Sequence, residues 1–254
     1  MKKLLLKLVC ISSLTLSFVT NAKLLVPNPP VVNAKGYILI DYDTGKVLAE
    51  KDADEQLNPA SLTKMMTSYV IGQEIKNGTI ALTDMVTVSR KAWAKNFPES
   101  SKMFIEVGKE VSVADLNRGI IIQSGNDASV ALAEHIAGSD DAFVDVMNQQ
   151  AALLGMDNTH FFNATGWPVD GHVTTARDLS LLARALINDF PDHYRLYSEK
   201  YFKYNGINQP NRNKLLFRDK TVDGIKTGHT DEAGFCLVSS AQKNGMRLIA
   251  VVMG

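Results

Sequence analysis

Apolar positions alternate in strand fashion near both ends of the 254-residue chain and recur with helical spacing in between. Gly36-Tyr37-Ile38-Leu39-Ile40-Asp41-Tyr42 is β-rich, Asp43-Thr44-Gly45 is a turn, and Lys46-Val47-Leu48-Ala49-Glu50 runs back, which predicts a hairpin. Asn58-Pro59-Ala60 opens a helix through Met65, Met66, Tyr69, Val70 and Ile71, with proline in its first turn. Ser112-Val113-Ala114-Asp115 reads as a capping box ahead of Leu116 and Ile120-Ile121-Ile122, and that helix stops at Ser124-Gly125. An alanine-rich helix then runs from Asn126 or Asp127 to Gly138. Ser139 caps a third through Phe143, Val146 and Met147 to Gly155, and Thr174 or Thr175 starts a fourth through Leu179, Leu182, Ala183 and Leu186. Beyond about residue 195 the pattern returns to strands, at 222–227, 235–240 and 246–253, with Lys243-Asn244-Gly245 turning the last two on each other.

This order predicts an α/β (α+β) fold: strands from both ends of the chain join one antiparallel sheet, flanked by helices, and the middle forms a helical lobe. The cleft between sheet and lobe is the expected site. Residues 246–253 read as the final strand with no helix left over to lie on them, so the sheet is expected to be uncovered there.

Composition narrows the class. Lys plus Arg and Asp plus Glu are both 27, so no basic excess steers the chain to nucleic acid. Residues 1–22 are a separate object: Met1-Lys2-Lys3 and Lys7 supply positive charge, residues 8–19 are apolar, and Thr20-Asn21-Ala22 offers small residues for cleavage. This is the pattern of a secretory signal, leaving 23–254 as the mature domain. Residues 23–34 hold three prolines and read as an extended lead-in. Val9 before Cys10 is not small, which argues against a lipoprotein. Cleavage leaves Cys236 alone, in an apolar run that reads as buried strand, so no internal disulfide is available.

Three motifs carry candidate chemistry. In Ser61-Leu62-Thr63-Lys64 the serine falls at a helix start, and Lys64 stands one turn on, on the same face. A serine hydroxyl needs an adjacent base, and lysine serves only if burial or a nearby cation lowers its pKa. The spacing alone is weak. About one match is expected by chance in a chain this long, and Ser240 to Lys243, on a strand, is a second. Ser124-Gly125-Asn126 sits on a loop between helices, where a hydroxyl and an amide can face a cleft, although taken alone ordinary cap and turn chemistry is the better explanation. Lys226-Thr227-Gly228, followed by His229, lies on a strand and offers a cation and a hydroxyl to an anionic group. Gly228 leaves room for a backbone to approach. All three in this order, on these elements, arise by chance on the order of once in a thousand chains or less.

With these motifs the chain resembles low-molecular-mass penicillin-binding proteins, the serine-type D-alanyl-D-alanine carboxypeptidases of the type-5 and type-6 group. The likeness extends through residues 37–42, 59–70 and 223–231 and covers nearly the whole mature chain. It implies a penicillin-binding/β-lactamase-like transpeptidase fold and an enzyme that removes the terminal D-alanine from peptidoglycan stem pentapeptides. It further implies a Ser61 acyl-enzyme, inhibited by β-lactams. It implies Lys64 as base, Ser124 and Lys226 as proton relays, Asn126 on the substrate amide and Thr227 on the terminal carboxylate. The backbone N–H groups of Ser61 and His229 would bind the oxyanion. No metal or cofactor is implied. The expected setting is the periplasm, after secretion across the inner membrane, with the full-length form attached to the outer face of that membrane. Two departures stand out. Residues 94–100 are shorter than that family's loop, and the chain stops at Gly254, so it is expected to be incomplete at its C-terminus and to lack the family's membrane anchor.

Three rival readings fit the sequence less well. A class A β-lactamase needs a further glutamate for deacylation, and no Glu lies between Gly138 and Glu199. A β-lactam-sensing module would acylate without turnover, yet no motif residue is missing. In a metal hydrolase, histidines would show paired ligand spacing, which His135, His160, His172, His193 and His229 do not.

Overall fold

Strands from the two ends of the chain meet in one sheet. The computed structural model describes residues 29–254; the signal-peptide reading of residues 1–22, and Cys10 with it, lies outside the described residues. β1 (Gly36–Asp41) and β2 (Val47–Lys51) form the expected hairpin. A 3-10 turn (Ala60–Thr63) leads into α1 (Lys64–Asn77), which ends where Gly78 takes the left-handed φ of 75°. The α-helix therefore starts later than the sequence suggests, and Ser61 sits in the tighter turn before it. β3 (Met85–Thr87) and β4 (Glu110–Ser112) pair as a ribbon too short for periodicity to reveal. α2 (Val113–Arg118) begins at Ser112, whose hydroxyl accepts from the Asp115 N–H at 3.1 Å, and continues as a π-helical stretch to Gln123.

α3 (Asn126–Ala137) and α4 (Asp140–Leu153) follow, the latter capped by Ser139. α5 (Ala176–Asp189) is capped by Thr175, whose hydroxyl accepts from the Asp178 N–H at 3.0 Å. Short α6 (Pro191–Tyr194), the hairpin β5 (Tyr201–Tyr204) and β6 (Ile207–Pro210), and α7 (Leu215–Arg218) lead to β7 (Val222–Thr230), β8 (Gly234–Lys243) and β9 (Met246–Met253).

The main sheet runs β2-β1-β9-β8-β7, antiparallel throughout, with β7 at an outer edge. Ile38 and Val238 both stand opposite Val251, and Lys226 stands opposite Val238, so these four share one face. That face is buried at Ile38, Ile40, Val238, Ile249, Val251 and Met253. The expectation of an uncovered last strand is corrected for this one face. α5 lies on β9 and β1, and its Leu179, Leu182, Ala183 and Leu186 form the buried stripe that a sheet-covering helix needs. On the opposite face Tyr37, Leu39, Leu237, Leu248, Ala250 and Val252 are only partly buried.

α1 is the axis of the helical lobe. Lys64 to Gly72 are all buried, and the helix packs on α3, α4 and α5. A helix buried on every side belongs in the middle of a domain, and this one carries Lys64 into the interior. Leu182, with no exposed surface, is expected to anchor α5 to the sheet. Leu182→Ala should lower unfolding free energy by about 2–5 kcal/mol in urea titration, and a loss well under 1 kcal/mol would show that α5 contributes little.

Candidate functional site

The three motifs, separated by more than a hundred and fifty residues of chain, converge at the junction of α1, the start of α3, and β7. Ser61 is held in the 3-10 turn, which begins at Ala60 with a positive φ of 46°. Lys64 follows with 1% exposure, and its Nζ lies 3.2 Å from Ser61 Oγ. The same nitrogen donates to Asn126 Oδ1 at 2.6 Å and to the Thr165 carbonyl at 2.5 Å. Burial, and then the Lys226 cation, hold its pKa well below the usual lysine value, while Asp127 works the other way. That is the condition under which lysine serves as a base.

Ser124 takes the left-handed backbone at φ 66°, which breaks the helix and turns its side chain toward β7. Its Oγ accepts from Lys226 Nζ at 2.9 Å, and Lys226 also donates to the Thr227 carbonyl at 3.0 Å. Lys226 is 2% exposed, and burial, with help from Arg212, lowers its pKa to about 7. Asn126 opens α3; its Nδ2 donates to Ser100 Oγ at 2.9 Å and its N–H to the Ser101 carbonyl at 2.9 Å.

Gly228 explains how strand and nucleophile turn come flush. A Cβ there would sit 3.2 Å from both the Pro59 carbonyl oxygen and the Ser61 nitrogen. A side chain here would push β7 and the turn apart by a few tenths of an ångström, and the close approach brings the Ser61 N–H beside the strand backbone that carries the His229 N–H. Thr227 and His229 alternate to the other side of the strand from Lys226. Thr227 is half-buried, and the exposed His229 ring lies 4.2 Å from Phe235 between centroids. The competing Ser240 to Lys243 spacing makes no such site. Ser240 Oγ accepts from Arg247 at 2.6 Å, and Lys243 is exposed at the end of β8.

Several residues at the site were not singled out from the sequence. Asp127 is fully buried and accepts from the N–H groups of Met103, Phe104, Ile105 and Ala128 at 2.8–3.2 Å, which shapes the loop that carries Ser100 and Ser101. Burial raises its pKa against those four donors. Thr165 contributes a backbone oxygen, which no side-chain motif announces. Arg212 is an exposed cation close enough to bias Lys226. Asn163-Ala164-Thr165-Gly166 did carry a signal, because asparagine ahead of a glycine is a common turn.

Unfolded, Lys226 keeps its proton to about pH 10.4; folded, it releases it near 7. Between these values the unfolded chain binds the extra proton, so the contribution of this group to stability is present at high pH and lost as pH falls toward 7. The stability of wild type relative to Lys226→Met is expected to rise by on the order of 3 kcal/mol between about pH 7 and pH 9.5. Urea titrations at both pH values check this, and an unchanged difference would mean that Lys226 titrates normally.

The family model for D-alanyl-D-alanine carboxypeptidase matches residues 23–254. D-alanyl-D-alanine carboxypeptidase DacA of Escherichia coli K12 is 54% identical over 238 residues, covering 92% of this chain and 59% of that protein. DacC of the same organism is 55% identical over 89% of this chain and 57% of its own length. The crystal structure of penicillin binding protein 5 from Haemophilus influenzae superposes with a TM-score of 0.88 at 51% identity, covering 90% of this chain and 67% of that one. The chain thus spans about three fifths of the length of the curated relatives it matches.

Proposed function

The chain belongs to the D-alanyl-D-alanine carboxypeptidase family, within the type-5 and type-6 penicillin-binding group, and from that premise we propose that it removes the terminal D-alanine from peptidoglycan stem pentapeptides through an acyl-enzyme on Ser61, with β-lactams as inhibitors. The observation that carries this reading is the Lys64 amine, buried 3.2 Å from Ser61 Oγ with its basicity reduced by its surroundings.

Ser61 Oγ attacks the carbonyl carbon between the two D-alanines while Lys64 Nζ takes its proton. The carbonyl oxygen becomes an oxyanion between the N–H groups of Ser61 and His229, a device worth roughly 3–4 kcal/mol per donor in other enzymes. The C–N bond then breaks. The departing amine receives a proton through Ser124 and Lys226, whose hydrogen bond at 2.9 Å makes the last link, and free D-alanine leaves. Water hydrolyses the ester and returns the proton, with Lys64 again as base. Asn126 and the unpaired edge of β7 hold the substrate backbone. Thr227 and Arg212 meet its terminal carboxylate. A β-lactam presents the same carbonyl and leaves Ser61 acylated. The Lys64 amine is met by the Thr165 carbonyl and the Asn126 amide, and no Glu lies between Gly138 and Glu199, which favours slow release of that adduct over the glutamate-assisted deacylation of a class A β-lactamase. Residues 1–22 support secretion to the periplasm with 23–254 as the catalytic domain.

In the test, the protein is incubated with labelled penicillin and, separately, with a peptide ending in D-Ala-D-Ala. A stable adduct and released D-alanine are expected, whereas fast β-lactam turnover would favour a β-lactamase. Ser61→Ala is expected to give no adduct by intact-mass spectrometry while retaining its fold, and an unchanged adduct would refute the nucleophile. Lys64→Arg keeps the charge but removes the base, so acylation should fall by about a hundredfold or more in stopped-flow measurements. A rate within a few-fold of wild type would make Lys64 a charge only.

A further inference from the structure

Behind the nucleophile turn lies a polar contact among three segments that the proposed reaction does not use. His172 is 2% exposed, and its ring edge meets Phe161. Its Nε2 is 3.0 Å from Thr63 Oγ1, and its Nδ1 is 3.4 Å from Asn163 Nδ2. The orientation of the Asn163 amide is fixed by its other contacts. Oδ1 accepts from the N–H groups of Thr165, Gly166 and Trp167 and from the Thr165 hydroxyl, at 2.8–3.1 Å. Nδ2 therefore faces the other way, donating to the Trp167 carbonyl at 3.0 Å and toward His172. Nδ1 of His172 is then an acceptor, its proton resides on Nε2, and Nε2 donates to Thr63. Burial, with His160 and Lys64 nearby, lowers the pKa of this ring to about 4 and keeps it neutral.

The loop pinned in this way, residues 163–167, is the one that meets the base. Thr67 Oγ1 donates to the Ala164 carbonyl at 2.7 Å, and Lys64 Nζ donates to the Thr165 carbonyl at 2.5 Å. Gly166 lies against the nucleophile turn so closely that a Cβ there would overlap the Ala60 carbonyl. Thr63, Lys64 and Thr67 thus all grip one loop, and among the described residues His172 supplies the side-chain bridge between Asn163, which organises that loop, and Thr63.

We propose that His172 is a positioning residue for the Ser61 reaction: it clamps the 163–167 loop onto Thr63 so that the Thr165 carbonyl holds the Lys64 amine beside Ser61 Oγ. This rests on Lys64 acting as the base in the function proposed above. A lysine stem has four rotatable carbons, and an amine displaced by about 1 Å transfers protons far less well, a loss on the order of a hundredfold.

The test measures acylation by a fluorescent penicillin in stopped flow, separating the dissociation constant of the initial complex from the first-order acylation constant, with intact mass giving the final adduct per protein. His172→Phe keeps the ring volume and removes both hydrogen bonds. It is expected to slow acylation about 10–100-fold while leaving the dissociation constant and final stoichiometry unchanged. His172→Gln restores one donor and one acceptor and should stay within about threefold of wild type. Thr63→Val removes the acceptor from the opposite side and should match His172→Phe; it decides alone if the phenylalanine variant does not fold. Acylation by His172→Phe or Thr63→Val within about threefold of wild type, or a glutamine variant as slow as the phenylalanine one, would overturn the clamp. A wild-type protein that forms no adduct would instead overturn the function on which the clamp rests.

Discussion

Keeping two lysine amines out of water is the constraint to which the rest of this structure answers. Lys64 and Lys226 are 1% and 2% exposed, and the Lys226 cation makes Lys64 harder to charge. An isolated buried cation would be ruinous, so each is given oxygen acceptors: Asn126, Thr165 and Ser61 for one, Ser124 and the Thr227 carbonyl for the other. Burial on this scale requires material on every side. The helical lobe wraps α1, and the sheet presents Lys226 on the face that α5 covers farther along. The two layers give the site what neither a helix bundle nor a sheet alone supplies, a dry seam with a helix start on one side and a strand edge on the other.

Asp127 fits the same logic. It is the buried carboxylate that offsets the charge on Lys64, and four N–H groups stabilise it where solvent does not. Three of those donors, from Met103, Phe104 and Ile105, come from one loop, so the counter-charge and the loop geometry are a single arrangement. The loop in turn supplies Ser100 and Ser101 to Asn126.

The parts that could be read from the sequence are those decided locally. Caps at Ser112, Ser139 and Thr175 and the turn at Asp43-Thr44-Gly45 act within a few residues, and the elements they bound appear where they were expected. The alternation in 246–253 likewise identified β9. Side chains with strong chemistry at fixed spacing, Ser61 with Lys64 and Lys226 with Gly228, were legible for the same reason. Contacts made by backbone or across long separations were not. The Thr165 carbonyl has no residue-type signature, His172 looked like any other histidine, and the role of α5 over the sheet depends on how the chain returns from the lobe. The start of α1 was misjudged because a 3-10 turn and a first α-turn use nearly the same residues. Ser240 and Lys243 show the converse. Their three-residue separation places both on one face of a helix but on opposite faces of a strand, and the strand directs the serine to Arg247.

The placement of β9 has a bearing on biosynthesis. It follows every other strand of this sheet in the chain yet sits between β1 and β8, with Ile38 opposite Val251. A ribosome delivers Ser61 and Ser124 long before it delivers the strand that joins β1 to β7. Until that strand arrives, the first hairpin has an open edge and the lysine of β7 has no wall behind it. Such a long-range closure is slow compared with helix formation. The nascent chain therefore holds a complete nucleophile motif before it holds the assembled site, and the geometry at Ser61 is available only once β9 has joined the sheet.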